Sequence, residues 1–174
     1  IQWLLTLPLG LGSLVMGALY APTVVTGIHQ MYTAIDLGQL AQYGVTYWLP
    51  LASAANVAQG AAALAVGLKS RDKKIKSLAL PSSLSAFMGI TEPAIFGVNL
   101  KRGFPFISAM IGSAIAATVS VGSNVMANSI GVGGIPGILS IQPQYMGRFA
   151  VCMLITIVVP FMLTVVIGKK KDVR

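Results

Sequence analysis

The sequence predicts an all-α membrane protein with several transmembrane helices and re-entrant hairpins. Three observations lead to this prediction: the composition, the placement of the basic residues, and a helix-breaking segment between two basic clusters. Hydrophobic residues make up 55% of the 174-residue chain and charged residues only 9%, whereas a soluble domain carries about a quarter charged residues. Because about 20 mostly apolar residues cross a bilayer, the chain has length for a few crossings and little else.

Five apolar segments occur along the chain, at residues 1–28, 45–68, 77–100, 104–122 and 145–168. Prolines and glycines interrupt the first segment, which predicts a broken rather than a smooth helix. A polar, glycine-rich stretch at residues 123–144 precedes the last segment. Small residues recur throughout, which suits close packing of helices in lipid.

The net charge of +8 would suggest nucleic-acid binding in a soluble protein. Here the basic residues flank the apolar segments, and no aromatic residues alternate with them to stack on bases. Three clusters hold all but Arg148: Lys69, Arg71, Lys73, Lys74 and Lys76; Lys101 and Arg102; and Lys169, Lys170, Lys171 and Arg174. Such clusters mark cytoplasmic loops of membrane proteins, so we expect no nucleic-acid partner.

The three clusters also constrain the topology. If all are cytoplasmic, segments 104–122 and 145–168 cross out and back, with Arg148 near the outer surface. Segment 77–100 then begins and ends on the cytoplasmic side, which a re-entrant hairpin allows and a single crossing does not. Non-helical backbone at membrane depth is tolerated only where protein or a watery cavity surrounds it. We therefore expect the turn at residues 89–93 to lie inside the protein beside a cavity.

Two further features bear on processing. The chain begins at Ile1 without an initiator Met, and no basic region precedes the first apolar run. These features predict a fragment or processed product without a secretory signal.

Cys152 is the single cysteine and lies in an apolar run, which predicts that it is a small buried hydrophobic residue.

Glu92 is the strongest candidate for chemistry. A carboxylate at membrane depth costs several kcal/mol unless it is paired or hydrated, and such residues are usually functional. Pro93 disfavours helical geometry at Glu92, and Gly89 permits a sharp turn just before it. The alternative is a structural carboxylate that caps a half-helix at the hairpin tip.

Three other polar side chains are candidates for the same site. His29 is the single histidine, and without a second His or Cys nearby it predicts no metal site. It is either a structural residue or a hydrogen-bond donor beside a carboxylate. Asn56 and Gln59 lie three apart and share one helix face, where they could bind sugar hydroxyls or join helices.

The remaining polar features predict less. Asp36 is expected to be a loop or interface residue, and the amides at positions 124, 128, 142 and 144 are expected to face water. The Gly131–Gly134 run lacks the lysine and the strand-to-helix context of a phosphate-binding loop. We therefore expect no nucleotide and no other cofactor.

Residues 89–100, GITEPAIFGVNL, resemble the signature of the membrane (IIC) component of phosphotransferase-system permeases, in the glucose–sucrose–β-glucoside superfamily. Residues 54–60, AANVAQG, and 26–29, TGIH, also resemble this family, in the expected order. Together the three motifs look most like the sucrose and trehalose branch. The glucose and maltose branch has an arginine shortly before the histidine, and this chain has none there.

The resemblance implies a function and a mechanism. Such permeases of the bacterial inner membrane bind a sugar from outside and present its 6-hydroxyl to a phosphocysteine on a partner IIB domain. By this resemblance Glu92 binds the hydroxyl and acts as general base, His29 orients it, and Thr91, Asn56 and Gln59 line the site. The activity implied is that of a protein-phosphocysteine–sugar phosphotransferase.

The resemblance also places residues 1–174 as the C-terminal, substrate-binding half of a multi-pass IIC domain, without its N-terminal half or a IIB domain. The family's N-terminal half implies a homodimer in the full-length permease, surrounded by membrane lipid. Two alternatives stay open on the residues alone. One is a secondary carrier in which Glu92 is a proton site, and the other is a scaffold whose polar residues only join helices.

Overall fold

A computed structural model of the chain describes residues 11–170. Helix α1 spans Leu11–Val25 and is followed by a 3-10 turn at Ile28–Met31 and helix α2, Tyr32–Tyr43. Helix α3 spans Trp48–Lys69, and helix α4 spans Lys73–Phe87. Helices α5, Phe104–Gly122, and α6, Met146–Lys170, complete the bundle. Within this part of the chain there is no β-strand, only isolated bridges.

A shorter helical segment lies between α4 and α5 and is called the short arm. It consists of an α-helical turn at Glu92–Ala94, a π-helical stretch at Ile95–Asn99 and a last turn at Leu100–Arg102. The turn at residues 88–91 joins α4 to the short arm. The two form a helical hairpin, since small residues of both arms (Ala79, Ala86, Ala94 and Val98) pack in one cluster with α3.

Three helices are long and apolar enough to cross a membrane: Trp48–Lys69, Phe104–Gly122 and Pro143–Lys169. The pair Leu11–Val25 and Ile28–Tyr43, bent by 118°, would make a fourth if it forms one span. These counts apply to residues 11–170. The prediction of an all-α membrane protein is confirmed, and the insertion of the α4 hairpin from one membrane face stays a prediction.

Helix α3 is the centre of the bundle. Its residues from Trp48 to Ala63 are all buried, and most are alanine or another small residue. Added Cβ atoms at Gly60 and Gly67 would come within 2.8 Å of Phe87 and Leu80 on α4, respectively. Small side chains therefore let neighbouring backbones approach α3 closely, as helix contacts in lipid require.

The packing brings the first two basic clusters to one end of the bundle. Helices α3 and α4 are antiparallel, because Gly60 faces Phe87 while Gly67 faces Leu80. The start of α3 lies at the opposite end, where Thr46 pairs through its backbone with Ala127 in both directions. Arg148 is also at that end, donating to the Ser123 carbonyl at 2.9 Å. This arrangement agrees with the topology inferred from charge.

One expectation about the first 44 residues needs correction. Helix α1 is continuous across Gly12, Gly17 and Pro22, so the expected break is wrong for residues 11–25; residues 1–10 lie outside the described part. Gly17 serves packing instead, since its carbonyl accepts from Ser113 Oγ at 2.7 Å. Asp36 was expected to be a loop or interface residue, and the second alternative fits: it lies within α2 and is buried against Thr46 Oγ1, 2.5 Å away.

Candidate functional site

The turn between α4 and the short arm is fixed by hydrogen bonds of a Schellman cap. The Ile90 amide donates to the Ser85 carbonyl and the Gly89 amide to the Ala86 carbonyl, both at 3.0 Å. Gly89 has a φ of +98°, a conformation that favours glycine. The Ser85 hydroxyl closes the turn by donating to the Ile90 carbonyl at 3.0 Å. The glycine at this position therefore ends α4 and redirects the chain toward Glu92.

The glycine-rich segment between α5 and α6 packs directly on this turn. An added Cβ at Gly89 would lie 2.6 Å from the Gly133 carbonyl oxygen, and one at Gly133 would lie 2.6 Å from Asn56 Nδ2. Gly134 has a φ of +78° and approaches the backbone of Phe87 and Gly89. The Gly131–Gly134 run thus holds the turn by close backbone contact, from the end of the bundle opposite the basic clusters.

Glu92 begins the short arm directly after the turn. Its side chain is 50% exposed, and the first helical turn offers its carboxylate a favourable dipole. Thr91 precedes it as the N-cap residue and is buried, without a capping hydrogen bond from its side chain. The structure therefore presents the Glu92 carboxylate to the surroundings while it encloses Thr91.

His29 lies opposite Glu92, although the two are far apart in sequence. The residue belongs to the 3-10 turn after α1, which begins where Gly27 takes a φ of +78°. His29 Nε2 is 3.9 Å from Glu92 Oε1, and Nδ1 is buried without a hydrogen-bond partner. A separation of 3.9 Å is too long for a direct hydrogen bond. A hydroxyl oxygen beside the gap can reach both atoms at hydrogen-bond distance of about 2.8 Å.

Asn56 and Gln59 both attach the hairpin to α3. Asn56 Nδ2 donates to the Gly89 carbonyl at 3.4 Å. Gln59 is 1% exposed, and its Oε1 and its backbone carbonyl accept from Asn99 Nδ2 at 2.7 and 2.9 Å, respectively. The contacts of both amides are those of residues that join helices. Asn56 also lies at the turn beside Glu92, whereas Gln59 is enclosed by its bonds to Asn99.

An aromatic cluster, which sequence reasoning missed, adjoins the His29–Glu92 pair. The Tyr20 and Tyr32 rings stack at 5.4 Å between centroids, and the Tyr32 and Trp48 rings lie at 4.3 Å. The Tyr32 hydroxyl donates to Thr23 Oγ1 at 2.8 Å. Ile95, one helical turn after Glu92, packs in the same core. Tyr32 follows His29 closely in sequence, so the sequence could have predicted that Tyr32 lies near the site. Tyr20 and Trp48 come from other helices, and their positions near the site could not be predicted in this way.

Taken together, apolar spans around a helical hairpin that presents a carboxylate define an integral membrane domain with a polar candidate site. Residues 1–113 match the family described as "Phosphotransferase system, EIIC". The chain belongs to this phosphotransferase-system EIIC family.

Relatives in this family carry sugar-specific names. The chain is 45% identical over 166 residues to the "PTS system sucrose-specific EIIBC component" of Pasteurella multocida, covering 94% of this chain and 35% of that protein. It is 46% identical over 161 residues to the "PTS system trehalose-specific EIIBC component" of Escherichia coli, covering 92% of this chain and 34% of the relative. The trehalose-specific relative of Bacillus subtilis is 48% identical over 152 residues, which are 87% of this chain and 32% of that protein.

The chain thus spans about a third of the length of these relatives. No solved structure matches it significantly.

Proposed function

We propose that this chain is the C-terminal, substrate-binding part of the IIC domain of a bacterial inner-membrane sugar permease. The permease takes up a disaccharide such as sucrose and couples uptake to phosphorylation of the sugar 6-hydroxyl by a phospho-IIB domain. The observation that carries this proposal is the meeting of His29 and Glu92 beside the hairpin turn, with 3.9 Å between Nε2 and Oε1. Their spacing suits one hydroxyl group between an acceptor and a donor.

The chemistry assigned to these residues is proton transfer during phosphoryl transfer. The Glu92 carboxylate accepts the proton of the sugar 6-hydroxyl as its oxygen attacks the phosphorus of the IIB phosphocysteine. The new O–P bond forms as the S–P bond breaks, and the cysteine leaves as a thiolate on IIB. His29 donates a hydrogen bond to the hydroxyl oxygen and orients it. The proton then leaves Glu92 for water, to which half of the side chain is open.

The other predicted site residues divide into two groups. Asn56 holds the turn that precedes Glu92, and in this proposal it also binds a hydroxyl group of the sugar. Thr91 and Gln59 act by positioning, because Thr91 is buried at the N-cap and Gln59 is bonded to Asn99. The name EIIBC of the relatives supports a IIB partner domain, and the proposal also includes a homodimer of the intact permease.

The proposal of a disaccharide substrate is based on the names of the relatives. Those named above are sucrose- or trehalose-specific by name, and both sugars are neutral disaccharides. The imidazole, carboxylate and amide side chains beside the turn suit neutral hydroxyl groups. Competition by sucrose, trehalose and a β-glucoside for binding to the intact permease would rank the three, and we expect the β-glucoside to be weakest.

An uptake experiment separates this function from a proton-coupled carrier. The intact permease is reconstituted in vesicles with labelled sucrose, with and without phosphorylated IIB on the cytoplasmic side. We expect the sugar to accumulate as its 6-phosphate only when phospho-IIB is present, without proton influx. Accumulation of unmodified sugar together with protons would instead favour the carrier.

A further inference from the structure

A half-open cavity of about 450 Å³ lies between the two arms of the hairpin, near its base. Its lining includes Lys74, from the first turn of α4, and Lys101 and Arg102, from the last turn of the short arm. These residues belong to two basic clusters that are distant in sequence. The hairpin therefore gathers three cations around one concave space, at the end of the bundle predicted to be cytoplasmic.

These cations have no carboxylate partner in the described residues. The close contact between a basic side chain and a carboxylate found in residues 11–170 joins His29 and Glu92, neither of which lines this cavity. Asp72 is the acidic residue nearest in sequence, and its Oδ1 is occupied in capping α4 by accepting from the Lys74 backbone amide at 2.8 Å. Three uncompensated positive charges around a cavity favour an anionic occupant.

The floor of the cavity is apolar. Ile75 and Leu78 line it from α4, and Val98 lines it from the short arm. Large exposed apolar side chains also occur on both arms: Leu78 is 45% exposed, Leu84 65%, Phe96 43% and Leu100 40%. A cationic rim above an apolar floor matches a phosphate headgroup above acyl chains. A soluble acidic protein would complement only the rim.

We propose that this cavity is a binding site for an anionic phospholipid. The phosphate lies among Lys74, Lys101 and Arg102, and the acyl chains follow the apolar surface of Leu78 and the neighbouring exposed side chains. Basic pockets between helices on the cytoplasmic side of membrane proteins bind anionic headgroups in this way. The lipid would join the bases of α4 and the short arm, and so stabilise the hairpin that carries Glu92. This inference does not depend on the identity of the sugar or on phosphoryl transfer.

The test compares lipid binding by the purified chain and two variants of equal charge. The first variant, Lys74→Gln/Lys101→Gln/Arg102→Gln, removes the cations of the cavity. The control, Lys69→Gln/Arg71→Gln/Lys73→Gln, removes two lysines and one arginine that are exposed and do not line it. Native mass spectrometry in detergent measures retention of phosphatidylglycerol against phosphatidylcholine with the same acyl chains. Helical circular dichroism checks that each variant is folded.

We expect the wild type and the control to retain phosphatidylglycerol preferentially. The cavity variant should bind it at least about tenfold more weakly, since each basic residue contributes to attraction of anionic lipid. The single variant Lys101→Gln should show an intermediate loss, which keeps the test usable if the triple variant does not fold. Equal retention by the cavity variant and the control would overturn the proposal. Displacement of the lipid by inorganic phosphate alone would overturn the role of the apolar floor.

Discussion

The functional claim at the scale of single residues is that His29 and Glu92 hold one sugar hydroxyl between them. Neither residue has a strong alternative partner in the described chain. His29 Nδ1 has no hydrogen-bond partner, and the nearest side chain to His29 Nε2 on the same turn is that of Gln30, at 3.3 Å. Half of the Glu92 side chain is exposed. Both groups are therefore available to a ligand.

Replacing His29 by alanine is expected to weaken sugar binding by about five- to tenfold, the effect of one hydrogen bond at roughly 1 kcal/mol. The measurement is equilibrium binding of labelled sucrose to the intact permease. Met31→Ala is the control, since Met31 is an exposed residue of the same 3-10 turn. Unchanged affinity in His29→Ala, or an equal loss in both variants, would remove His29 from the site.

The sequence alone identified His29 and Glu92, but it did not predict the aromatic side chains near them or the contacts of the amides. Glu92 was identified as a site residue because a carboxylate in an apolar segment is costly. His29 was identified because it is the only histidine in the sequence. The amide roles could not be resolved, because whether Gln59 faces a sugar or Asn99 depends on how the short arm packs against α3. Trp48 and Tyr20 were missed for the same reason, as their meeting with Tyr32 is a contact between distant segments.

At the scale of elements, the most informative contact is that of the Gly131–Gly134 run with the hairpin turn. Two backbone segments and the Asn56 side chain meet there, and they leave no room for a Cβ atom at Gly89, Gly133 or Gly134. The sequence predicted a polar, glycine-rich connection at residues 123–144 but not its return to Gly89. Length and composition fix where a connection starts and ends, while its path depends on tertiary contacts.

Gly134→Ala is expected to destabilise the hairpin turn by about 1–3 kcal/mol, because the added methyl group would clash with the backbone of Phe87 and Gly89. Thermal unfolding followed by circular dichroism gives the stability, and sucrose binding gives the effect on the site. Gly38→Ala is the control, since a Cβ there meets nothing within 4 Å. If Gly134→Ala has the same melting temperature and sucrose affinity as Gly38→Ala, the close contact does not hold the turn.

Long apolar elements were predictable nearly to the residue. The fourth apolar segment was expected at residues 104–122, where α5 spans Phe104–Gly122. Within residues 11–25 the first segment was misjudged, because Gly12 and Gly17 were taken as breaks, whereas the helix ends only before Gly27. Gly17 instead provides space for α5, where an added Cβ would lie 2.6 Å from Ala117 Cβ. A glycine in an apolar helix signals either a break or a close contact, and the sequence does not distinguish the two.

At the scale of the whole molecule, charge placement and packing agree on one orientation. The basic residues at the end of α3, the start of α4 and the end of the short arm lie at one end of the bundle. Thr46, Ala127 and Arg148 lie at the other. The bases of α4 and the short arm therefore lie at the same end of the bundle, which agrees with the re-entrant hairpin predicted from the sequence.

Cysteine labelling tests this topology. In a Cys152→Ser background, Lys76→Cys and Lys101→Cys are both expected to react with a membrane-impermeant maleimide only from the cytoplasmic side. Asn128→Cys, on the connection between α5 and α6, should react only from outside. All three positions are exposed. Labelling of Lys76→Cys and Lys101→Cys from opposite sides would mean that the intervening segment crosses the membrane.

The most direct test of the central claim is phosphoryl transfer by the intact permease carrying Glu92→Gln. This change keeps the shape of the side chain but removes its ability to accept the hydroxyl proton. With phosphorylated IIB and saturating labelled sucrose, the rate of sugar-phosphate formation should fall by about a hundredfold or more, as for loss of a general base. Asp72→Asn, an exposed carboxylate that caps α4, should retain the normal rate. A normal rate in Glu92→Gln would contradict the role assigned to Glu92 and with it the proposed mechanism.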